Sequence, residues 1–310
     1  MEKINRRKKM SKEGNVWVYI ALIALPVLQF ILFYVVVYFN FIKMAFQKMD
    51  PVTYEVIGFT FDHFKTSIDF IFSQDGWNVI KMSILGWVSH IAVGVPLGLL
   101  FSYYIYKKRF MSGAFRIFLF LPSIIPAIIL VTIYRYAMDN AIPAFQQYIN
   151  SLPQRPLGFV ANPETQVLAI LAYNVFIGFG TSVLMYSNKM SSIEPSLSEA
   201  AKLDGTTAFG EFWHVTLPMT YSTISVFLVS SVASIFLNQL NLFSFYGWDP
   251  PAGMETLGYY FFYKASDATT YNDLPAFCQL SAMGLVMTCI AIPLTFVVKY
   301  LLKKFGPSEE

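Results

Sequence analysis

Six long stretches without a single Asp, Glu, Lys or Arg constrain this chain more than any other feature. They run Val16–Ile42, Met82–Tyr106, Ile117–Tyr134, Thr165–Asn188, Phe212–Trp248 and Leu274–Val298. A membrane helix needs about 20 mostly apolar residues. Inside lipid each backbone N–H and C=O must be paired within the segment, so such stretches read as helices. The fifth is too long for one perpendicular span and too short for two with a turn, and Pro218 marks where a helix over about 218–241 starts. With their flanks, the spans are expected at about 16–42, 80–106, 113–136, 165–189, 218–241 and 274–302. The chain therefore reads as an all-α polytopic membrane protein with six transmembrane helices over 16–302. Its 13% charged residues, against about 25% in soluble domains, exclude a mostly water-facing fold.

The basic residues orient the spans. A tail over 1–15 carries Arg6, Arg7, Lys8 and Lys9. The apolar run behind it exceeds the signal-peptide core of about 7–15 residues, so a retained helix is expected. With that tail inside the cell, the turn Lys107–Arg116, the loop 190–217 with Lys189 at its start, and the tail 303–310 with Lys299 just before it are cytoplasmic too. Those regions hold 15 of the 22 basic residues, and the positive-inside rule selects this orientation, with both termini cytoplasmic. A net charge of only +3, placed as a bilayer places it, argues against a nucleic-acid partner. The external segments are then Lys43–Lys81, Arg135–Glu164 and Asp249–Asp273. The last holds Tyr259, Tyr260, Phe261, Phe262 and Tyr263, which suits contact with an external protein or an interfacial aromatic belt equally.

Gly86, His90, Gly94 and Gly98 recur every four residues, the pattern of close helix packing in lipid. Pro26, Pro96, Pro122, Pro126 and Pro293 lie inside spans, where neighbours must satisfy the freed carbonyls. Cys278 and Cys289 would stand roughly 16 Å apart on a helix, too far for a disulfide. His90 has no second ligand at metal spacing and reads as a packed polar residue. Neither a hydrolase motif nor paired intramembrane carboxylates occur, so no catalytic or metal residues are assigned. An ion-coupled secondary transporter would show ionisable groups within its spans.

The segment between the fourth and fifth spans is the most specific. Ser196 and Glu199 form a capping box before a helix over Leu197–Asp204, which Gly205 ends. A second short helix is expected from about Thr207 to His214, making a compact knob with Phe209, Phe212 and Trp213 as apolar anchors. By itself this fits either a plug seated in another protein's groove or an amphipathic helix lying on the membrane.

Glu199-Ala200-Ala201, Gly205 and Leu217-Pro218, with Val215 for isoleucine, resemble the coupling motif of bacterial ABC importer permeases. Asp204 before Gly205 adds the form common in the carbohydrate branch. In layout the whole chain is similar to the maltose-permease-like subunits of oligosaccharide importers. The resemblance implies a type I ABC importer permease architecture in the bacterial inner membrane, a non-catalytic subunit that binds no cofactor. ATP and Mg would sit on two partner ATPase subunits, and the chain has no Gly-x-x-x-x-Gly-Lys-Ser/Thr loop of its own. Glu199, Ala200, Ala201, Asp204 and Gly205 would dock there, with Leu217 and Pro218 leading back into the membrane. A second, different permease subunit would complete the pore, and an external solute-binding protein would deliver the oligosaccharide.

A sugar path needs hydroxyl-bonding and aromatic groups. Ser231, Ser234, Asn238 and Asn241 fall on one helical face, with Gln239 beside them. Tyr173, Asn174, Tyr134 and Arg135 are further candidates. Hydrogen bonding between helices is the alternative use of such residues. An amino acid, peptide or polyamine is the alternative cargo, and the scarcity of charge within the spans favours a neutral one.

Overall fold

The computed structural model describes Val16 and residues 18–307, so the expected tail over 1–15 and the last three residues lie outside the described residues. Helix α1 runs Val18–Ala45. A small antiparallel hairpin follows, β1 Gln47–Met49 against β2 Val56–Phe59, with Gln47 opposite Phe59. Then come α2 (Asp62–Phe72), α3 (Gln74–Tyr106), α4 (Ser112–Ser123), α5 (Ala127–Ile149) and α6 (Gln166–Ser191). The rest is α7 (Pro195–Leu203), α8 (Ala208–Ala233), α9 (Leu242–Tyr246), α10 (Leu257–Tyr271) and α11 (Leu274–Phe305).

Among the described residues, α1, α3, α6, α8 and α11 are each long and apolar enough to cross a membrane. The expected third span over 113–136 is not one straight helix. It is the pair α4 and α5, bent by 103°. Pro122 and Pro126 bracket the break, since neither ring can donate the N–H a continuous helix requires. Pro126 stands just before α5 with ψ 133°, outside helical geometry.

Three other internal prolines leave their helices unbroken. Pro96, Pro143 and Pro218 each fall in the first turn after a π-helical turn, at His90–Gly94, Ala137–Ala141 and Phe212–Thr216. The wider turn makes room for the ring that would otherwise strike the carbonyl four residues back.

The chain forms two compact units. One takes the described residues up to Ile68 together with Asp267–Val286. In it the ring of Phe41 lies over Gly284, where a Cβ would come within 2.8 Å of Cζ. Phe46 gathers Phe59, Phe61 and Phe64 at centroid distances of 5.2, 5.6 and 4.8 Å. The hairpin turn is closed by Asp50, whose carboxylate accepts from the N–H groups of Thr53 and Val52, which hold it below its ordinary pKa.

The other unit takes Asp69–Ser266 and the chain from Met287 on. There α3 and α6 pack side by side, tied where the Ser102 hydroxyl donates to the Val183 carbonyl at 3.0 Å. One apolar cluster centres on Ile170, Tyr173, Leu242 and Phe245, another on Leu99, Tyr186, Met190 and Phe212. The four-residue stripe on α3 divides its contacts: Gly86 lies under the Leu240 side chain, whereas Gly94 lies against the ring of His90 on its own helix.

The expected external loop Asp249–Asp273 is mostly the helix α10, and its aromatics turn inward. Tyr259 is 1% exposed and donates to the Gly247 carbonyl at 2.7 Å. Phe262 stacks on Trp248, and Tyr260 on Phe70. Of the five rings only Tyr259 is buried, and the other four are half-buried.

Candidate coupling loop and polar cavity

Helix α7 starts two residues earlier than the expected capping box implies. Glu194 holds the N-cap with extended backbone and no side-chain cap, and Pro195 occupies the first turn. A proline there gives up an N–H that has no helical partner anyway. Ser196 and Glu199 are therefore both inside the helix. At the other end Gly205, with φ +73°, donates to Lys202 O, and Thr206 N–H reaches back to Ala201 O, both at 3.0 Å. This paired closure satisfies the last carbonyls of α7 and requires the left-handed conformation that glycine takes without strain.

The second element of the expected knob is not separate. Thr207 caps α8, its hydroxyl accepting from Gly210 N–H at 3.2 Å, and the helix runs from Ala208 directly into the membrane-length segment. Pro218 thus lies well inside α8, and Leu217 packs against the cluster of Tyr186 and Met190.

The two faces of the loop differ sharply. Ser198 and Ala201 are buried, while Glu199, Ala200, Asp204 and Leu203 are exposed, Leu203 at 89%. Of the three expected anchors, Phe209 and Trp213 are exposed and stacked on each other, while Phe212 turns inward against Tyr103.

Beneath α7 lies a polar group that sequence reasoning missed. The Glu211 carboxylate is buried and accepts from both Lys107 Nζ and the Ser198 hydroxyl. Lys107 Nζ lies 3.1 Å from Ser198 Oγ and over the Tyr106 and Tyr103 rings, at 4.9 and 5.4 Å. Tyr103 in turn donates to the Ala208 carbonyl at 2.8 Å. The one sequence signal is that Lys107 and Glu211 each border an apolar run; nothing in the spacing pairs two residues so far apart.

The second feature is a cavity of about 270 Å³ between α3, α6 and the segment after α8. Its polar lining includes Trp87, His90, Asn174, Ser231, Ser234, Asn238 and Asn241. The expected continuous helical face does not exist, because α8 ends at Ala233 and Ser234 is its C-cap. Asn238 and Asn241 reach the cavity through a turn in which Leu240 and Asn241 take φ of 49° and 56°.

That turn is held by side chains. Asn174 donates to the Leu240 and Ile170 carbonyls, both at 2.9 Å, and its own oxygen accepts from Asn241 Nδ2 at 2.8 Å. Asn238 accepts from Leu240 N–H at 2.9 Å. From the far side Gly258 admits the backbone of Leu237 and Asn238, which a Cβ would overlap. We expect Gly258→Val to displace this turn and lower the thermal midpoint of the purified protein by several degrees; an unchanged midpoint would remove the close approach as a constraint.

The other candidate path residues are engaged in contacts between helices. Tyr173 is buried against Tyr134 and Phe245, and Tyr134 donates to the Ala169 carbonyl. Arg135 donates to the Phe245 carbonyl at 2.7 Å. None of the three lines the cavity, and Gln239 also lies outside its lining. Trp87 and His90, absent from the expected path, do line it, with the indole N–H donating to Ser231 Oγ at 3.1 Å. Among the described residues no group of three or more His, Cys, Asp and Glu is placed to hold a metal.

Comparison with known proteins agrees with the resemblance read from the coupling motif. Protein LplB of Bacillus subtilis is 23% identical over 297 residues, covering 93% of this chain and 89% of LplB. The maltose/maltodextrin transport system permease protein MalF of Salmonella typhimurium is 24% identical over 162 residues, 52% of this chain. This chain covers 31% of the length of MalF. The fold is shared with a bacterial ABC transporter involved in the import of the acidic polysaccharide alginate, at a TM-score of 0.76 and 18% identity, covering 97% of this chain and 100% of that one. Residues 94–309, which include the coupling loop and most of the cavity, match the binding-protein-dependent transport system inner membrane component family, and to that family the chain belongs.

Proposed function

We propose that this chain is one membrane-spanning subunit of an ATP-driven importer for a neutral saccharide. Its spans lie in the inner membrane with both ends and α7 on the cytoplasmic side. In this reading α7 presents Glu199, Ala200 and Leu203 to an ATPase subunit, one of two, and a second permease subunit completes the path. An external binding protein delivers the sugar.

The observation that carries the substrate class is the lining of the cavity. It offers amides, hydroxyls, an indole and an imidazole, and no Asp, Glu, Lys or Arg. Such groups donate to and accept from sugar hydroxyls in several geometries, while an ionic cargo would find no counter-charge among them. The volume of about 270 Å³ is just below the range of ligand cavities, about 300 to 1,000 Å³, so the cavity takes one part of a saccharide at a time.

The test is ATP hydrolysis by the assembled complex in lipid, titrated with binding protein and a panel of neutral oligosaccharides, uronate oligosaccharides, amino acids and polyamines. Stimulation by a neutral oligosaccharide is expected. Stimulation by an amino acid or polyamine alone would overturn the saccharide assignment, and stimulation by uronates alone would overturn neutrality.

A further inference from the structure

We infer that Lys107, Ser198 and Glu211 are positioning residues that lock α7 to the ends of α3 and α8, so that the three move as one body when α7 is pushed. This rests on the reading of α7 as the ATPase-facing helix. The three residues come from three elements: Lys107 directly follows α3, Ser198 lies in α7 and Glu211 in the first turn of α8.

Helix α7 has only nine residues and is flanked by short connections, one of them pivoting at Gly205. A helix that short does not hold its place by its own hydrogen bonds. Besides the buried Ala201 and Ile193 just before the helix, this polar group ties α7 to the spans. The carboxylate oxygen of Glu211 is shared by Lys107 and Ser198, and their side chains have little room to move, at 16% exposure for Lys107 and 5% for Glu211. The Tyr103 and Tyr106 rings confine the ammonium further.

Rigidity, more than stability, distinguishes this arrangement from an apolar contact. Well-packed apolar residues often stabilise as much as a buried ion pair does, but they tolerate sliding, whereas the pair demands one distance and direction. A displaced α7 would strand a buried charge, so α7 and the two span ends resist separation.

Spin labels at Ser196→Cys, exposed in α7 away from the docking residues, and Arg109→Cys, with Cys278 and Cys289 replaced by serine, report on the lock in lipid. A narrow distance distribution is expected, unchanged when the ATPase partner and Mg-ATP are added. In Lys107→Met/Glu211→Gln, where neutralising both partners avoids a lone buried charge, the distribution broadens and shifts with ATP. The ratio of substrate-stimulated to basal hydrolysis falls about fivefold or more, the lower range of known coupling energies. Lys107→Arg keeps the narrow distribution. Ser198→Ala, a smaller change, broadens it in part and serves if the double variant misfolds.

A variant distribution as narrow and ATP-insensitive as the native one overturns the lock. A native complex that no saccharide stimulates would instead sink the substrate reading, and the widths measured without ATPase would still decide the lock.

Discussion

Gly205→Pro is expected to abolish uptake and substrate-stimulated ATP hydrolysis while leaving the chain inserted in the membrane. Gly205 sits at φ +73°, and the proline ring fixes φ near −65°. The substitution also removes the N–H that donates to Lys202 O. Together these undo the closure of α7 and release Thr206 from Ala201 O. None of the membrane-length helices includes Gly205, so insertion persists.

Glu199→Lys examines the same surface without touching the fold. Glu199 is exposed on α7, so reversing its charge leaves packing intact and alters only what meets that face. A fall in uptake with unchanged thermal stability is expected. Wild-type uptake in both variants would remove the coupling role from this loop.

The second large effect is expected at Asn174→Leu. This one amide satisfies the Leu240 carbonyl and accepts from Asn241 in a turn whose two central residues are left-handed. Leucine leaves both groups buried without partners, and each such loss costs about 1–3 kcal/mol. Two non-glycine residues then have little to keep them at positive φ, and Asn238 and Asn241 leave the cavity. Transport should fall below detection, with a lower midpoint of thermal unfolding. Asn174→Asp keeps the acceptor for Asn241 but loses the donor, and should lie between. Transport at the native rate in Asn174→Leu would show that the turn does not shape the path.

The two regions differ in how far they could be read from residues alone. The coupling loop is local: Gly205 ends a helix because of what glycine permits, and Thr207 starts the next because its hydroxyl reaches the Gly210 N–H. The fixed offsets among Glu199, Gly205 and Pro218 carry the resemblance for the same reason. Yet the N-terminal boundary went to Pro195 over the Ser196 capping box, since both signals suit a first turn and only one can occupy it.

The cavity is non-local. No glycine, proline or charge marks Ala233 as the end of α8, and the four polar residues from Ser231 to Asn241 keep a helical spacing that suggests continuity. The turn beyond that end is held by Asn174, whose side chain from α6 captures the Leu240 carbonyl, and by the close backbone approach at Gly258. Lys107 and Glu211 are likewise 104 positions apart and meet only when three helix ends converge.

By itself, then, the order of residues determined the number and place of the apolar segments, because burying backbone in lipid depends on an uninterrupted run. It also determined the loop motif, because caps and turns act within a few residues. The tertiary structure alone decided the turn after α8 and the buried ion pair. Each depends on a backbone group or charge finding its partner on a different helix, and such partners have no periodicity along the chain.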